Sequence, residues 1–179
     1  MLQYILQPLY FLLPAYFANM APVIVKNLAK PLARPIDFGM SWKGKRILGD
    51  HKTWRGLVFG IVFSVLIAFM QRHLLGTRAG AYLSVIDYTY PALIGFLLGF
   101  GAILGDAVKS FFKRRSNHTP GERFFPFDQC DFVLGAILFS LPFWPFTLSQ
   151  TLLAIVITIF LHIIVNHIAY ATGIRDEAW

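Results

Sequence analysis

The chain has 179 residues, 56% of them hydrophobic and only 14% charged, with a net charge of +7 and a mean hydropathy of +0.60. A soluble domain carries about 25% charged residues, so this composition excludes an ordinary water-soluble enzyme and indicates one membrane-embedded domain, 1–179. The single Cys130 excludes an internal disulfide and a zinc framework, and basic residues interleaved with apolar runs argue against nucleic acid as a partner.

Residues 1–25 carry no charged side chain and predict a first span over about 4–25. This segment has no basic leader region and no small-residue cleavage site, so it reads as a span and not a signal peptide. A second apolar run, 56–70, is closed by Gln71 and Arg72 and predicts a span over 56–71. The third is uncharged from Tyr88 to Gly105 and predicts a helix over 88–112. From Phe132 to Ile174 there is no Asp, Glu, Lys or Arg. That run is too long for one crossing of about 20 residues, and Pro142 and Pro145 supply the break. Spans over 131–146 and 150–171 follow. The predicted fold class is all-α: a polytopic integral membrane helix bundle of five transmembrane helices with two basic loops.

Those loops set the expected orientation. Loop 26–55 carries Lys26, Lys30, Arg34, Lys43, Lys45, Arg46, Lys52 and Arg55, and loop 106–131 carries Lys109, Lys113, Arg114, Arg115 and Arg123. Loop 71–87 has only Arg72 and Arg78. The positive-inside rule then puts the N-terminus outside, and both basic loops and the C-terminus in the cytoplasm. Within span three, Gly95 with Gly99 and Gly101 with Gly105 stand four apart, a spacing that lets membrane helices approach closely. His162 and Asn166 share a face of span five and predict hydrogen bonds between helices.

Of nine acidic residues, Asp106, Asp128 and Asp131 border the second basic loop. If span three continues as a helix beyond the membrane, Asp106, Lys109, Ser110 and Lys113 lie on one face. Asp128 and Asp131 are three apart at the start of span four. Each alone fits a first-turn acid favoured by the helix dipole. Together, beside the lysines, they fit a hard divalent cation and a phosphate, hence metal-assisted phosphoryl or nucleotidyl transfer. In the first loop, glycines alternate with Lys45, Arg46, Lys52, Thr53 and Arg55. This block suits either a triphosphate or anionic lipid headgroups. It lacks a Walker A pattern.

At these motifs the chain resembles the archaeal CDP-archaeol synthases. The resemblance spans almost the whole length. It rests on Leu13-Pro14-Ala15-Tyr16 with Asn19-Met20-Ala21-Pro22, on Pro35-Ile36-Asp37-Phe38-Gly39, and on Arg46-Ile47-Leu48-Gly49-Asp50-His51-Lys52-Thr53-Trp54-Arg55-Gly56. It continues through Gly105-Asp106-Ala107-Val108-Lys109-Ser110-Phe111 with Lys113-Arg114-Arg115, and Asp128-Gln129-Cys130-Asp131-Phe132. The last two motifs are also similar, more loosely, to CDP-diacylglycerol synthases. Cys130 departs from the small apolar residue expected there, and Arg123 lies in a less recognisable stretch.

The resemblance implies a cytidylyltransferase that joins CTP to an isoprenoid ether-lipid phosphate in the bilayer. It implies catalytic Asp106, Asp128, Asp131 and Lys109, with Mg²⁺ on the three aspartates. It also implies phosphate contacts from Arg46, Lys52, Thr53, Arg55, Lys113 and Arg114. The competing expectations are a transferase acting on ester lipids, a CTP-dependent polyprenol kinase, and a small transporter or headgroup-binding scaffold. The last requires acids at mid-membrane depth, whereas all three border the interface. Oligomeric state is left open.

Overall fold

The computed structural model describes residues 1–116, 118, 122 and 124–173. Expectations for Arg123 and for residues 174–179, the C-terminus included, lie outside the described residues. Every apolar stretch is helical, but the first is two helices, α1 (Leu2–Phe11) and α2 (Leu13–Ile24). Pro14 in the opening turn of α2 has no N–H to return to the Tyr10 carbonyl. Gln71 from a neighbouring helix donates to that carbonyl instead, at 2.5 Å, with its own side chain fully buried.

The second stretch is α3 (Trp54–Leu74), opened by Thr53, whose hydroxyl accepts from the Gly56 N–H at 3.2 Å. A short α4 (Arg78–Leu83) forms in the segment expected to be only a loop, capped in the same way by Thr77. The long α5 (Pro91–Arg115) has proline in its first turn, where no N–H is needed. Next come α6 (Phe127–Ser140), a 3₁₀ turn at Leu141–Phe143 and α7 (Leu148–Ala171), which a Thr147–Gln150 capping box opens. Helices α3, α5 and α7 are long and apolar enough to cross a membrane. With 14 residues, α6 is about 21 Å long at 1.5 Å per residue, shorter than the expected span 131–146, because Pro142 cuts it off.

One small departure from an all-helical chain lies in the first basic loop, where β1 (Ser41–Trp42) pairs with β2 (Lys45–Arg46). The two residues between them, Lys43 and Gly44, have φ of 51° and 74°, the positive values that a tight type I′ hairpin turn requires.

The glycines of α5 serve two different contacts. A methyl group at Gly95 or Gly99 would run into Ser64 or Val65 of α3, and one at Gly101 or Gly105 would strike the Gly135 or Asp131 backbone of α6. So α5 is held backbone-close to α3 on one side and to α6 on the other. Leu98 and Ala102, both buried, lie on the same helix, and Ser64 Oγ donates to the Gly95 carbonyl at 2.7 Å. Across the bundle, Tyr16 of α2 and Thr158 of α7 share a hydroxyl hydrogen bond of 2.7 Å. His162 and Asn166 meet each other along α7 at 3.3 Å, and the His162 ring lies 5.8 Å from that of Phe132 in α6.

Candidate active site

Helix α5 does run on past its apolar part, so Asp106 and Lys109 sit one turn apart with Lys109 Nζ 3.4 Å from Asp106 Oδ1. The close α5–α6 contact at Gly105 then brings the first turns of α6 against this face. Lys109 Nζ is 2.7 Å from Asp128 Oδ1 and 3.1 Å from Asp131 Oδ2. One ammonium group therefore stands among all three aspartates. Lys113, one turn further along α5, closes on Asp128 Oδ2 at 3.0 Å. From the first loop, Lys52 reaches Asp106 Oδ2 at 2.5 Å. Three carboxylates and three ammonium groups thus balance, at a point where α5 and α6 leave their apolar runs.

The loop that delivers Lys52 is built around Asp37. Its carboxylate accepts from the backbone N–H groups of Gly39, Leu48 and Gly49 at 3.1, 2.9 and 3.2 Å, and from Arg46 at 2.9 Å. Burial by itself raises the Asp37 carboxyl. The Leu48 amide, the Arg46 guanidinium and the Gly49 and Gly39 amides outweigh it and bring the pKa down to about 2. Gly49 has a φ of 103°, open to glycine and strained for other residues, which lets the chain turn back under the carboxylate. The ends of the loop are tied by Ile36 N–H to the Lys52 carbonyl at 2.8 Å and Trp54 N–H to the Arg34 carbonyl at 3.0 Å. Lys52 is thereby fixed at the mouth of the loop, next to α5.

The sequence-predicted residues separate into two groups. Asp106, Asp128, Asp131, Lys109, Lys113 and Lys52 come together. Four others hold backbone or loop. Arg46 bridges Asp37 and Asp50, the latter at 2.6 Å. Thr53 caps α3, Arg55 donates to the Leu28 carbonyl at 3.1 Å, and Arg114 donates to the His118 carbonyl at 3.0 Å. The part played by Asp37 was not found in the sequence. Its signal is a carboxylate nine residues ahead of an arginine and followed by a glycine-rich turn.

A divalent cation can be weighed against this donor set. The three carboxylates are hard oxygen ligands of the kind Mg²⁺ takes. Asp131 Oδ2 is buried against the Lys109 ammonium, 3.1 Å away, so a cation bound there would take a position that Lys109 now fills. The residues fit such an ion in chemistry. Their present arrangement is centred on Lys109, and among the described residues no three Asp, Glu, His or Cys side chains form a ready metal-binding group.

Beside the cluster, an almost wholly apolar cavity of about 550 Å³ runs between α5 and α6, from Leu138 and Phe139 past Lys109 and Asp131 to Phe112 and Phe124.

Comparison with known proteins agrees with this architecture. A solved structure described as an intramembrane enzyme for archaeal membrane lipid biosynthesis superimposes with a TM-score of 0.76, at 29% identity, over 90% of this chain and 94% of that one. The CDP-archaeol synthase of Archaeoglobus fulgidus is 40% identical over the full length of both chains. That of Thermococcus kodakarensis is 36% identical over 95% of this chain and 94% of the relative. The family model CarS-like, CDP-archaeol synthase, matches residues 1–179. With full-length relatives at this identity and an intramembrane enzyme of the same fold, the chain belongs to the CarS-like CDP-archaeol synthase family.

Proposed function

We propose that the Asp106–Asp128–Asp131 and Lys52–Lys109–Lys113 cluster is where this member of the family joins CTP to 2,3-bis-O-(geranylgeranyl)-sn-glycerol 1-phosphate. The products are the CDP-activated ether lipid and pyrophosphate, and residues 1–179 act as one membrane-embedded transferase unit. The observation that carries this reading is the meeting of three carboxylates and three lysines, from α5, α6 and the first loop, at the end of the apolar spans. There a lipid keeps its tails in the bilayer while its phosphate meets a water-soluble nucleotide.

In the reaction an oxygen of the lipid phosphate attacks the α-phosphorus of CTP. The bond from that phosphorus to the bridging oxygen breaks, and pyrophosphate leaves with the electron pair. A phosphomonoester has a second pKa of about 6, so the nucleophile is already largely ionised at neutral pH and needs no dedicated base. The task left to the protein is to hold two polyanions in line and offset their charge. Lys52, Lys109 and Lys113 supply charge-assisted contacts to phosphate oxygens, which are roughly twice as strong as neutral hydrogen bonds. The cluster by itself is neutral, so the incoming polyanions bring charge it does not balance. Mg²⁺ held by Asp106, Asp128 and Asp131 would supply that missing positive charge at the phosphates. Arg46, through Asp37, holds the loop that carries Lys52.

The two basic loops face the cytoplasm and the N-terminus lies outside, which gives the cluster access to cytosolic CTP. The test of the reaction is turnover by purified protein with CTP, dCTP, ATP and lipid phosphates compared in Mg²⁺. A cytidylyltransferase yields pyrophosphate and a lipid that carries the cytidine. A CTP-dependent kinase yields CDP and no nucleotide on the lipid.

A further inference from the structure

Arg115 ends α5, two residues beyond Lys113, and the transfer as derived above makes no use of it. Among the described residues its guanidinium makes one hydrogen bond, from Nη1 to the Arg46 carbonyl at 3.0 Å. Nε and Nη2 are buried and donate none. What meets the rest of the charge is aromatic. The guanidinium carbon lies 5.2 Å from the centre of the Trp42 ring and 4.5 Å from that of Phe111. Those two rings, one from the hairpin and one from α5, stack with centres 6.0 Å apart and planes 20° apart. A planar guanidinium can lie over ring faces and still donate at its edge, which a compact ammonium cannot do as well. The contact is also returned. Lys45 Nζ donates to the Arg115 carbonyl at 3.2 Å, and a carbonyl in the last turn of a helix has no partner within it.

Arg46 carries this contact inward. While its carbonyl takes the bond from Arg115, its guanidinium pairs with Asp37 at 2.9 Å. Asp37 in turn accepts from the Leu48 and Gly49 amides, and the Gly49 carbonyl accepts from the Lys52 N–H at 3.3 Å. The loop is therefore fastened to α5 at two points: Lys52 on Asp106 at its near end, the hairpin on Arg115 at its far end. The nine residues between those points on α5 span about 13 Å at 1.5 Å per residue. One attachment leaves such a loop free to swing, and two fix its orientation.

We propose that Arg115 is a positioning residue for the transfer: it latches the hairpin to α5 and, through Arg46 and Asp37, holds Lys52 at the cluster. The inference rests on the reading of the cluster as the transfer site. A double-mutant comparison separates this role from a merely structural one. Arg115→Ala should lower kcat/KM for CTP about 10-fold or more, as misplacement of a phosphate-holding group does, with KM for the lipid phosphate unchanged. In a Lys52→Ala background the same substitution should cost less than about twofold, because its effect passes through Lys52. In a Lys113→Ala background it should keep its full cost, since Lys113 reaches the cluster without the loop. Equal costs in the two backgrounds overturn the proposal.

The second measurement involves neither substrate. In Arg115→Ala the amides of Leu48 and Gly49 should exchange hydrogen faster than in the wild type, while α3 and α6 stay protected. Should Arg115→Ala lose protection throughout, Trp42→Ala decides. That residue is half-exposed on the hairpin, and its removal opens the latch from the other side with α5 intact. Wild-type exchange at Leu48 and Gly49 in Trp42→Ala, or in a folded Arg115→Ala, overturns the latch and leaves the reading of the cluster standing. A wild-type chain that transfers no cytidylate refutes that reading, and the positioning role falls with it.

Discussion

Lys109 is the residue on which the charges of the site turn. It is 14% exposed at its side chain and lies among three carboxylates that would repel one another without it. Replacing one partner of a buried ion pair typically costs about 3–5 kcal/mol, because the remaining charges stay uncompensated. Lys109→Met should therefore lower thermal stability in detergent, and added Mg²⁺ should restore part of the loss by occupying the vacated centre. A melting temperature indifferent to Mg²⁺ would count against a cation site at these aspartates. Asp106→Asn, Asp128→Asn and Asp131→Asn should each cut turnover by roughly 100-fold or more while still inserting in membranes, since an amide lacks the charge a hard cation requires. If two of the three keep near-normal turnover at saturating Mg²⁺, the assignment is wrong. The three aspartates were legible from their place beside the basic loop, and the one-turn pairing of Asp106 with Lys109 from helical spacing. That Asp128 and Asp131 close on that same lysine was not legible, because it depends on how α6 docks against α5.

At the scale of elements, the first loop acts through Asp37. Its pKa of about 2 lies below the unfolded value of about 3.9, so its contribution to stability is complete above about pH 4. That contribution disappears as pH falls through about 2. Asp37→Asn removes it at neutral pH as well. The variant should weaken CTP affinity, because Lys52 loses its fixed position, and the wild-type advantage should shrink as both proteins are taken from pH 6 towards pH 3. A neutral-pH CTP affinity equal to wild type would separate the loop from the site. The second element-level contact is glycine on glycine. Gly135→Ala meets the Gly101 backbone and should lower stability by roughly 1–3 kcal/mol, as overpacked sites do, read as a melting shift in detergent. The four-residue glycine spacing was visible in the sequence. Its division between two partners, Gly95 and Gly99 to α3 and Gly101 and Gly105 to α6, was not, since spacing alone does not say which face meets which helix. The break at Leu12 and the hairpin at 41–46 were also missed. Apolar residues continue across Leu12, and two-residue strands leave no alternating pattern to read.

Across the whole molecule, five apolar stretches and thirteen basic residues in two loops set the plan of the chain. The expected topology is tested with single cysteines in a Cys130→Ser background. Cysteines in place of Ser41 and of Ser116 should be shielded from an impermeant label added outside intact cells, and one in place of Gly76, an exposed position with open space around it, should react. The reverse pattern would put the Asp–Lys cluster on the wrong side for cytosolic nucleotide. The family and the membrane bundle were both readable from motif order, hydropathy and charge. The cavity beside the cluster was not, because it forms only where α5 and α6 meet. The claim that joins these scales is cytidylyl transfer to a lipid phosphate at this cluster. Its most direct measurement follows CTP labelled at the α-phosphorus, with purified protein, Mg²⁺ and the ether-lipid phosphate. The account predicts label in the lipid product, one pyrophosphate released per lipid converted, and loss of both in Asp106→Asn. Label remaining in CDP with none in the lipid, or transfer undiminished in Asp106→Asn, would contradict it.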